Sequence, residues 1–175
     1  HLPQWINWKL IDAPGKPKPD KVPWADGQPI DPHNPVNHKT YDEARRIDPD
    51  HIGFVLTAND PYFCIDLDHC VDIGGWNTLA QETCAMFNGA YMERSFSGDG
   101  LHIFGQGTPP PEYSTRGPGV EIYHHTRFIA VTGADPVGTP DVDCNAALRA
   151  FCEAHVRPAT VAGVGALSGW TTAPV

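Results

Sequence analysis

Tyr62-Phe63-Cys64-Ile65-Asp66-Leu67-Asp68 constrains this chain more than any other stretch. An apolar and aromatic run enters two carboxylates that are separated by a single residue. Side chains alternate faces along a strand, so Asp66 and Asp68 project to the same side. Two neighbouring acids raise one another's pKa unless a cation lies between them. Oxygen ligands at this spacing suit Mg²⁺ or Mn²⁺, which are held by one or two carboxylates plus substrate phosphates. The competing interpretation is a strand that ends in a solvated acidic turn. Two downstream stretches weigh toward chemistry: Ser97-Gly98-Asp99-Gly100-Leu101-His102 and Val120-Glu121-Ile122-Tyr123.

The length of 175 residues suits one domain with a core of its own. The expected division is a catalytic domain over residues 1–156 and a linker or disordered tail over 157–175, where small residues, Pro and Thr dominate. With 17 Gly and 18 Pro, loops should be plentiful and helices short. A net charge of −9 has the wrong sign for a protein that grips nucleic acid with its whole surface. All the lysines (Lys9, Lys16, Lys18, Lys21, Lys39) nevertheless precede residue 40, as a local basic patch or a solvated lysine-proline loop. The 5 cysteines are odd in number and lack Cys-x-x-Cys spacing, which favours buried reduced thiols in a cytoplasmic protein over a zinc site. No apolar run is long enough to span a membrane, and no signal-peptide pattern is present. The first residue is His1 rather than methionine, and the expectation is a segment of a longer protein.

Taken in order, residues 5–11 alternate as a strand, and residues 12–37 are expected as loop or short hairpin. Thr40 and Glu43 form a capping box for a helix that stops near Asp48-Pro49. Residues 51–57 and 61–68 have the spacing of a hairpin. A helix is predicted over 76–88, ended by Gly89. Residues 91–95 and 101–105 flank a glycine-rich turn, and 106–119 is loop. Residues 120–123 and 127–132 are expected as another hairpin, around His124-His125-Thr126, before a loop over 133–140. A last amphipathic helix spans 145–154.

If the strands carrying Asp66, Asp68, His102 and Glu121 are neighbours in one antiparallel sheet, three carboxylates and one imidazole share a face. Three carboxylates make a cradle for two-metal nucleotidyl transfer. The glycines of Ser97-Gly98-Asp99-Gly100 permit backbone amides to point at an anion, and His102 can donate to a phosphate. Arg127 falls on the face of Glu121 if the intervening hairpin is regular, where it can hold a triphosphate. Each piece has a plainer alternative. A lone strand histidine is often satisfied structurally, and Ser-Gly-Asp-Gly is an ordinary turn. Glu121 and Arg127 suit an exposed strand equally well. His124 and His125 face opposite ways on a strand and make poor joint ligands.

The order Cys64-Ile65-Asp66-Leu67-Asp68, Gly100-Leu101-His102, Val120-Glu121 resembles the three-motif signature of the archaeo-eukaryotic primase superfamily. More closely, residues 4 to 133 resemble the primase-polymerase domains of phage and plasmid replication proteins. The likeness runs through Lys21-Val22-Pro23, Tyr41-Asp42-Glu43-Ala44, the strand from Gly53 to Thr57 and the Ser97–His102 turn, ending in the segment from Glu121 through Arg127 to Gly133. His38 departs from the tryptophan common there. The resemblance implies an α+β core with an RRM-like, mostly antiparallel sheet and flanking helices. It also implies template-directed nucleotide addition. Asp66, Asp68 and Glu121 would be catalytic and hold Mg²⁺ or Mn²⁺. His102 would bind the incoming triphosphate, assisted by Ser97, Gly100, Arg127 and Lys21. The implied partners are a DNA template-primer, ribo- or deoxyribonucleoside triphosphates, and a C-terminal helicase or accessory domain, in the cytoplasm of a bacterial or archaeal host.

Three alternatives compete. A catalytically weak nucleotide- or nucleic-acid-binding module of a larger replication protein would keep the fold, but has no use for intact clustered acids. An Asp-x-Asp glycosyltransferase does not explain His102 and Glu121 in that order. A rolling-circle nickase needs histidines one residue apart and a helical tyrosine nucleophile.

Overall fold

A computed structural model describes residues 2–159 of the chain, and the greater part of the segment read as a tail lies outside them. The first half holds β1 (Trp5–Ile11), β2 (Asp20–Ala25), β3 (Gln28–Pro29), α1 (Tyr41–Ile47), β4 (Ile52–Leu56), β5 (Tyr62–Leu67), β6 (Val71–Asp72) and β7 (Gly75–Trp76). The second half holds α2 (Thr78–Met86), β8 (Tyr91–Arg94), β9 (Leu101–Gln106), β10 (Arg116–Gly117), β11 (Val120–Tyr123), β12 (Arg127–Val131), β13 (Ala134–Val137) and α3 (Asn145–His155). The architecture is α+β, as expected. One sheet runs β12-β4-β1-β2-β3, and a larger one runs β10-β11-β5-β9-β8-β13. Their ladders are antiparallel throughout.

Strand alternation on β5 divides the molecule. Phe63, Ile65 and Leu67 point to one face and are fully buried against Ala80 and Phe87 on the α2 side and Leu148 and Phe151 of α3. Burial of each such side chain is worth roughly 1.5–3 kcal/mol. Tyr62, Cys64 and Asp66 point to the other face. There Cys64 and Phe104 pack with Phe54, Leu56 and Ile129 of the smaller sheet. The two sheets therefore meet over an aromatic contact at one end of β5, and the acids lie at the other end.

The local signals around the helices are realised. Thr40 accepts from the Glu43 amide at 3.3 Å, and Glu43 accepts from the Thr40 amide at 2.8 Å. The buried Asn7 amide donates to the carbonyls of Ala44 and Asp48 at 3.0 and 3.2 Å, which satisfies the last turn of α1. Asn77 caps α2, and Gly89 follows it with φ +90°.

Several longer-range expectations are corrected. Residues 51–57 and 61–68 do not form a hairpin: β4 pairs with β1 and β12, while β5 pairs with β11 and β9. Every residue of β4 is buried, so the strand takes a neighbour on each edge. Asp60 turns the chain between sheets by accepting from the Thr57 amide at 2.8 Å, the Tyr62 amide at 2.9 Å and the Gln4 side chain at 2.8 Å. Residues 120–123 and 127–132 cross between the sheets in the same way instead of pairing with each other. Within 12–37, expected as loop or short hairpin, β2 and β3 do form a short hairpin, and β2 also joins the sheet beside β1. Trp8 sends its amide to the His51 carbonyl on the β4 side, so no ladder bond to β1 is lost where Pro23 lacks an N–H. Ala134–Val137 is likewise a strand on β8, not loop. Arg157 and Ala159 exchange backbone hydrogen bonds with Ser114 and Glu112, so ordered pairing continues past residue 156.

Among the described residues no helix is long and apolar enough to cross a membrane. All the cysteines are free thiols; Cys64, Cys70, Cys144 and Cys152 are buried, and Cys84 is half-buried. Burial pushes the Cys70 thiol up to about 11, which leaves it protonated and unreactive at neutral pH.

Candidate active site

Strand register assembles the site. Glu121 of β11 is paired with Asp66 of β5, Asp66 with His102 of β9, and His102 with Glu93 of β8. Paired residues on antiparallel strands project to the same face. The result is one row, Glu121–Asp66–His102–Glu93, across four adjacent strands. Asp68 follows just beyond the ladder, its amide bonded to the Gly119 carbonyl at 3.0 Å.

The row runs from interior to surface. Side-chain exposure is 0% at Glu93 and 4% at His102, then 22% at Asp66 and 27% at Glu121. A ligand from solvent therefore meets Asp66 and Glu121 first. His102 Nε2 lies 3.7 Å from Asp66 Oδ1, and its Nδ1 lies 3.0 Å from Glu93 Oε1. Burial pushes the Asp66 carboxyl above its ordinary value; His102 draws it back, and the neighbouring Asp68 and Glu121 charges push it further. Burial would likewise raise Glu93, but hydrogen bonds from His102, Gly133 and Thr132 outweigh it and hold that carboxyl below its usual range. Glu121 accepts from the Tyr123 hydroxyl and pairs with Arg116 at 3.3 Å. Burial and the Glu121 hydrogen bond both push the Tyr123 phenol up.

The smaller sheet supplies cations. Lys21 is exposed along its stem, but its ammonium sits 5.2 Å from the Phe96 ring and 5.8 Å from the Trp8 ring. Burial lowers its pKa, against the opposing pull of Asp66. Arg127, at the start of β12, lies over Tyr123 at 4.6 Å. It reaches the site although the hairpin expected to bring it there does not exist.

The turn from Ser97 to Gly100 bonds largely to itself. Gly98 donates to the Ser95 carbonyl at 2.9 Å, and the Ser97 hydroxyl donates to Asp99. Asp99 also meets His69 at 2.7 Å. Gly100 sits where a Cβ would be 2.7 Å from the Leu67 carbonyl oxygen and 2.6 Å from Ser95 Oγ, so it is required for close packing of β9 against β5. Ser97 is exposed on this turn, outside the row. His124 and His125 form the bend between β11 and β12, with ring centroids 4.3 Å apart.

The residue that sequence reasoning passed over is Glu93. Its signal was present: a hairpin turning at Ser97-Gly98 pairs it with His102. Arg116 was also missed, because its two-residue strand is lost among glycines and prolines. A separate cavity of about 500 Å³ opens at the aromatic end of the sheet interface, lined by Trp5, Tyr41, Phe54, Tyr62, Tyr91 and Phe104 among others. It does not contain the acid row.

Among the described residues no three His, Cys, Asp or Glu side chains already converge as a metal site. The donor chemistry still suits a hard divalent cation. The carboxylates are adjacent and half-exposed, and the charges of Asp68 and Glu121 raise Asp66 further, a repulsion that a cation would relieve.

No protein-family model matches the chain. Among curated proteins it is similar to the DNA primase-polymerase of Nitratiruptor phage NrS-1, at 31% identity over 156 residues that cover 79% of this chain and 20% of the relative. The chain thus spans about a fifth of that relative's length. That similarity, together with the motif order carried by the acid row, supports a relationship to the primase-polymerases.

Proposed function

We propose that this chain is the catalytic domain of a template-directed DNA primase-polymerase that adds nucleotides by two-metal transfer during phage or plasmid replication. The observation that carries this conclusion is the Glu121–Asp66–His102 row, with Asp68 beside it and Lys21 and Arg127 facing it from the other sheet. Acids and cations so arranged match a triphosphate and its cations together. Asp66 and Asp68 would hold Mg²⁺ or Mn²⁺, and Glu121 would join them once released from Tyr123. Bound divalent cations would lower the pKa of an attacking hydroxyl and neutralise the departing pyrophosphate.

The chain's own side chains divide the remaining work. His102 directs Nε2 into the row, next to Asp66, where a phosphate oxygen can meet it. Arg127 and Lys21 offset the negative charge of the triphosphate; Arg127 does so with a planar fork of donors. Ser97 and the backbone of the Ser97–Gly100 turn, which follows the Phe96 ring that meets the Lys21 ammonium, would serve as secondary phosphate contacts. Template grip by an acidic chain is expected to draw on the further domains that a longer protein provides.

The test is extension of a labelled primer on a DNA template with Mg²⁺ or Mn²⁺, beside an unprimed template and an Asp66→Ala control. Extension absent from the control supports the assignment, and product on the unprimed template adds priming. Failure to bind nucleotide in the presence of either metal would refute it. His102→Ala should weaken triphosphate binding more than template binding.

A further inference from the structure

We propose that Glu93 is a positioning residue for His102: its carboxylate accepts from Nδ1–H and thereby fixes the ring with Nε2 turned into the row, toward the place of the incoming triphosphate. The triphosphate half of this proposal rests on the function proposed above; the hold of Glu93 on the imidazole does not.

Glu93 is fully buried, and a carboxylate is tolerated there only when its lone pairs are filled. Oε1 accepts from His102 Nδ1 at 3.0 Å and from the Thr132 amide at 3.0 Å. Oε2 accepts from the Tyr91 hydroxyl at 2.9 Å, the Gly133 amide at 2.8 Å and, more distantly, the Thr132 amide at 3.1 Å. Each of these partners other than the imidazole is a donor. An ionised carboxylate can only accept, so Nδ1 must be the protonated nitrogen of any neutral ring. The amides belong to the chain leaving β12 and the hydroxyl to the Tyr91 side chain on β8, so groups from both sheets fix the carboxylate before it fixes the ring. Glu93 itself is sealed from solvent behind His102 and cannot touch a nucleotide.

The surrounding donors make Glu93→Gln informative. Three donors converge on Oε2, so the amide oxygen belongs there and its NH₂ faces His102. That NH₂ would donate to Nδ1 and drive the ring proton to Nε2. The change is isosteric, but the ring would present the opposite tautomer.

The experiment is ¹⁵N NMR of the imidazole nitrogens, with His102 assigned by its loss in His102→Ala, together with titration of a deoxynucleoside triphosphate and Mg²⁺. Wild type should show a proton on Nδ1, a measurement that does not depend on any Glu93 variant folding. Glu93→Gln should show the Nε2–H tautomer, which keeps the ring held and still offers a donor to a phosphate. Glu93→Ala, which frees the ring, should bind triphosphate about 10–100-fold more weakly, the range for loss of a histidine's orienting partner. Its affinity for single-stranded template should be unchanged. An unprotonated Nδ1 in wild type would overturn the proposal. So would Glu93→Ala with triphosphate affinity within about twofold of wild type. A wild-type protein that binds no triphosphate would overturn the active-site assignment instead, while the NMR result would still decide the contact.

Discussion

Gly100→Ala places a methyl group against the backbone of the strand that carries the acids. The added Cβ would stand 2.7 Å from the Leu67 carbonyl oxygen and 2.6 Å from Ser95 Oγ. A comfortable carbon–oxygen contact is about 3.3 Å or more, so one partner must move by roughly 0.6 Å. The serine hydroxyl can rotate away. The Leu67 carbonyl cannot, because Leu67 pairs with Val120 on one side and Leu101 on the other. Leu67 also lies between Asp66 and Asp68, so any shift displaces both carboxylates. Overpacking of this kind costs about 1–3 kcal/mol. For a chain of this size that is a fall in Tm of roughly 2–12 °C. Differential scanning calorimetry would measure it, with primer extension on the same samples. Gly98→Ala is the control: φ is +83° and nothing lies within 4 Å of the added Cβ. It should lose about 1–2 kcal/mol through the left-handed backbone alone, without pressing on the strand that carries the acids. A Gly100→Ala protein melting within about 1 °C of wild type would refute the reasoning. So would full recovery in the Ser95→Ala/Gly100→Ala double variant, since removing the hydroxyl leaves the carbonyl contact in place.

Other consequences are open to test. Burial holds the Asp66 carboxyl above its ordinary value. The folded metal-free protein therefore keeps a proton that the unfolded chain releases, and stability falls as pH rises from the ordinary carboxylate range through the raised value. In EDTA, Asp66→Asn should melt at or above wild type near neutral pH, with the gap closing on acidification; a lower Tm at neutral pH would contradict the sign. Tyr123→Phe removes the hydroxyl that engages Glu121, so half-maximal extension should need less Mg²⁺ than in wild type. A higher requirement would show that Tyr123 helps to hold the cation site. Phe151 is fully buried between α3 and the larger sheet, and Phe151→Ala should cost about 3–5 kcal/mol in denaturant unfolding. A loss below about 1 kcal/mol would mean that this side of the core collapses around the gap.

Much of the local structure was legible because its causes are local. The Thr40 and Glu43 capping box, the extended segment over residues 5–11 and the turn around Gly98 all act within a few residues. The Asp-x-Asp, His and Glu motifs could be ordered from sequence, and their register brings Asp66, His102 and Glu121 together. Hairpin inferences failed where a carboxylate or a bend carries the chain to another sheet, as at Asp60 and at His124-His125-Thr126. Short connections are ordinarily hairpins, and only the burial of β4 on both sides reveals that it needs other neighbours. Residues 12–37 were legible as loop or short hairpin, but not the pairing of β2 with β1, since whether Pro23 is tolerated there depends on which way Trp8 sends its amide.

Alternation and motif spacing in the chain already determined that Asp66 and Asp68 share a side, that Glu93 can pair with His102 across a tight turn, and that three helices flank the strands. These follow from backbone geometry over short separations. Which strands become neighbours depends on burying both faces of β4 and β5 at once, a balance among side chains far apart in the chain. The folded arrangement alone therefore set Glu121 beside Asp66, brought Lys21 and Arg127 across from a second sheet, and closed four donors around Glu93 deep enough that its charge must be answered by His102.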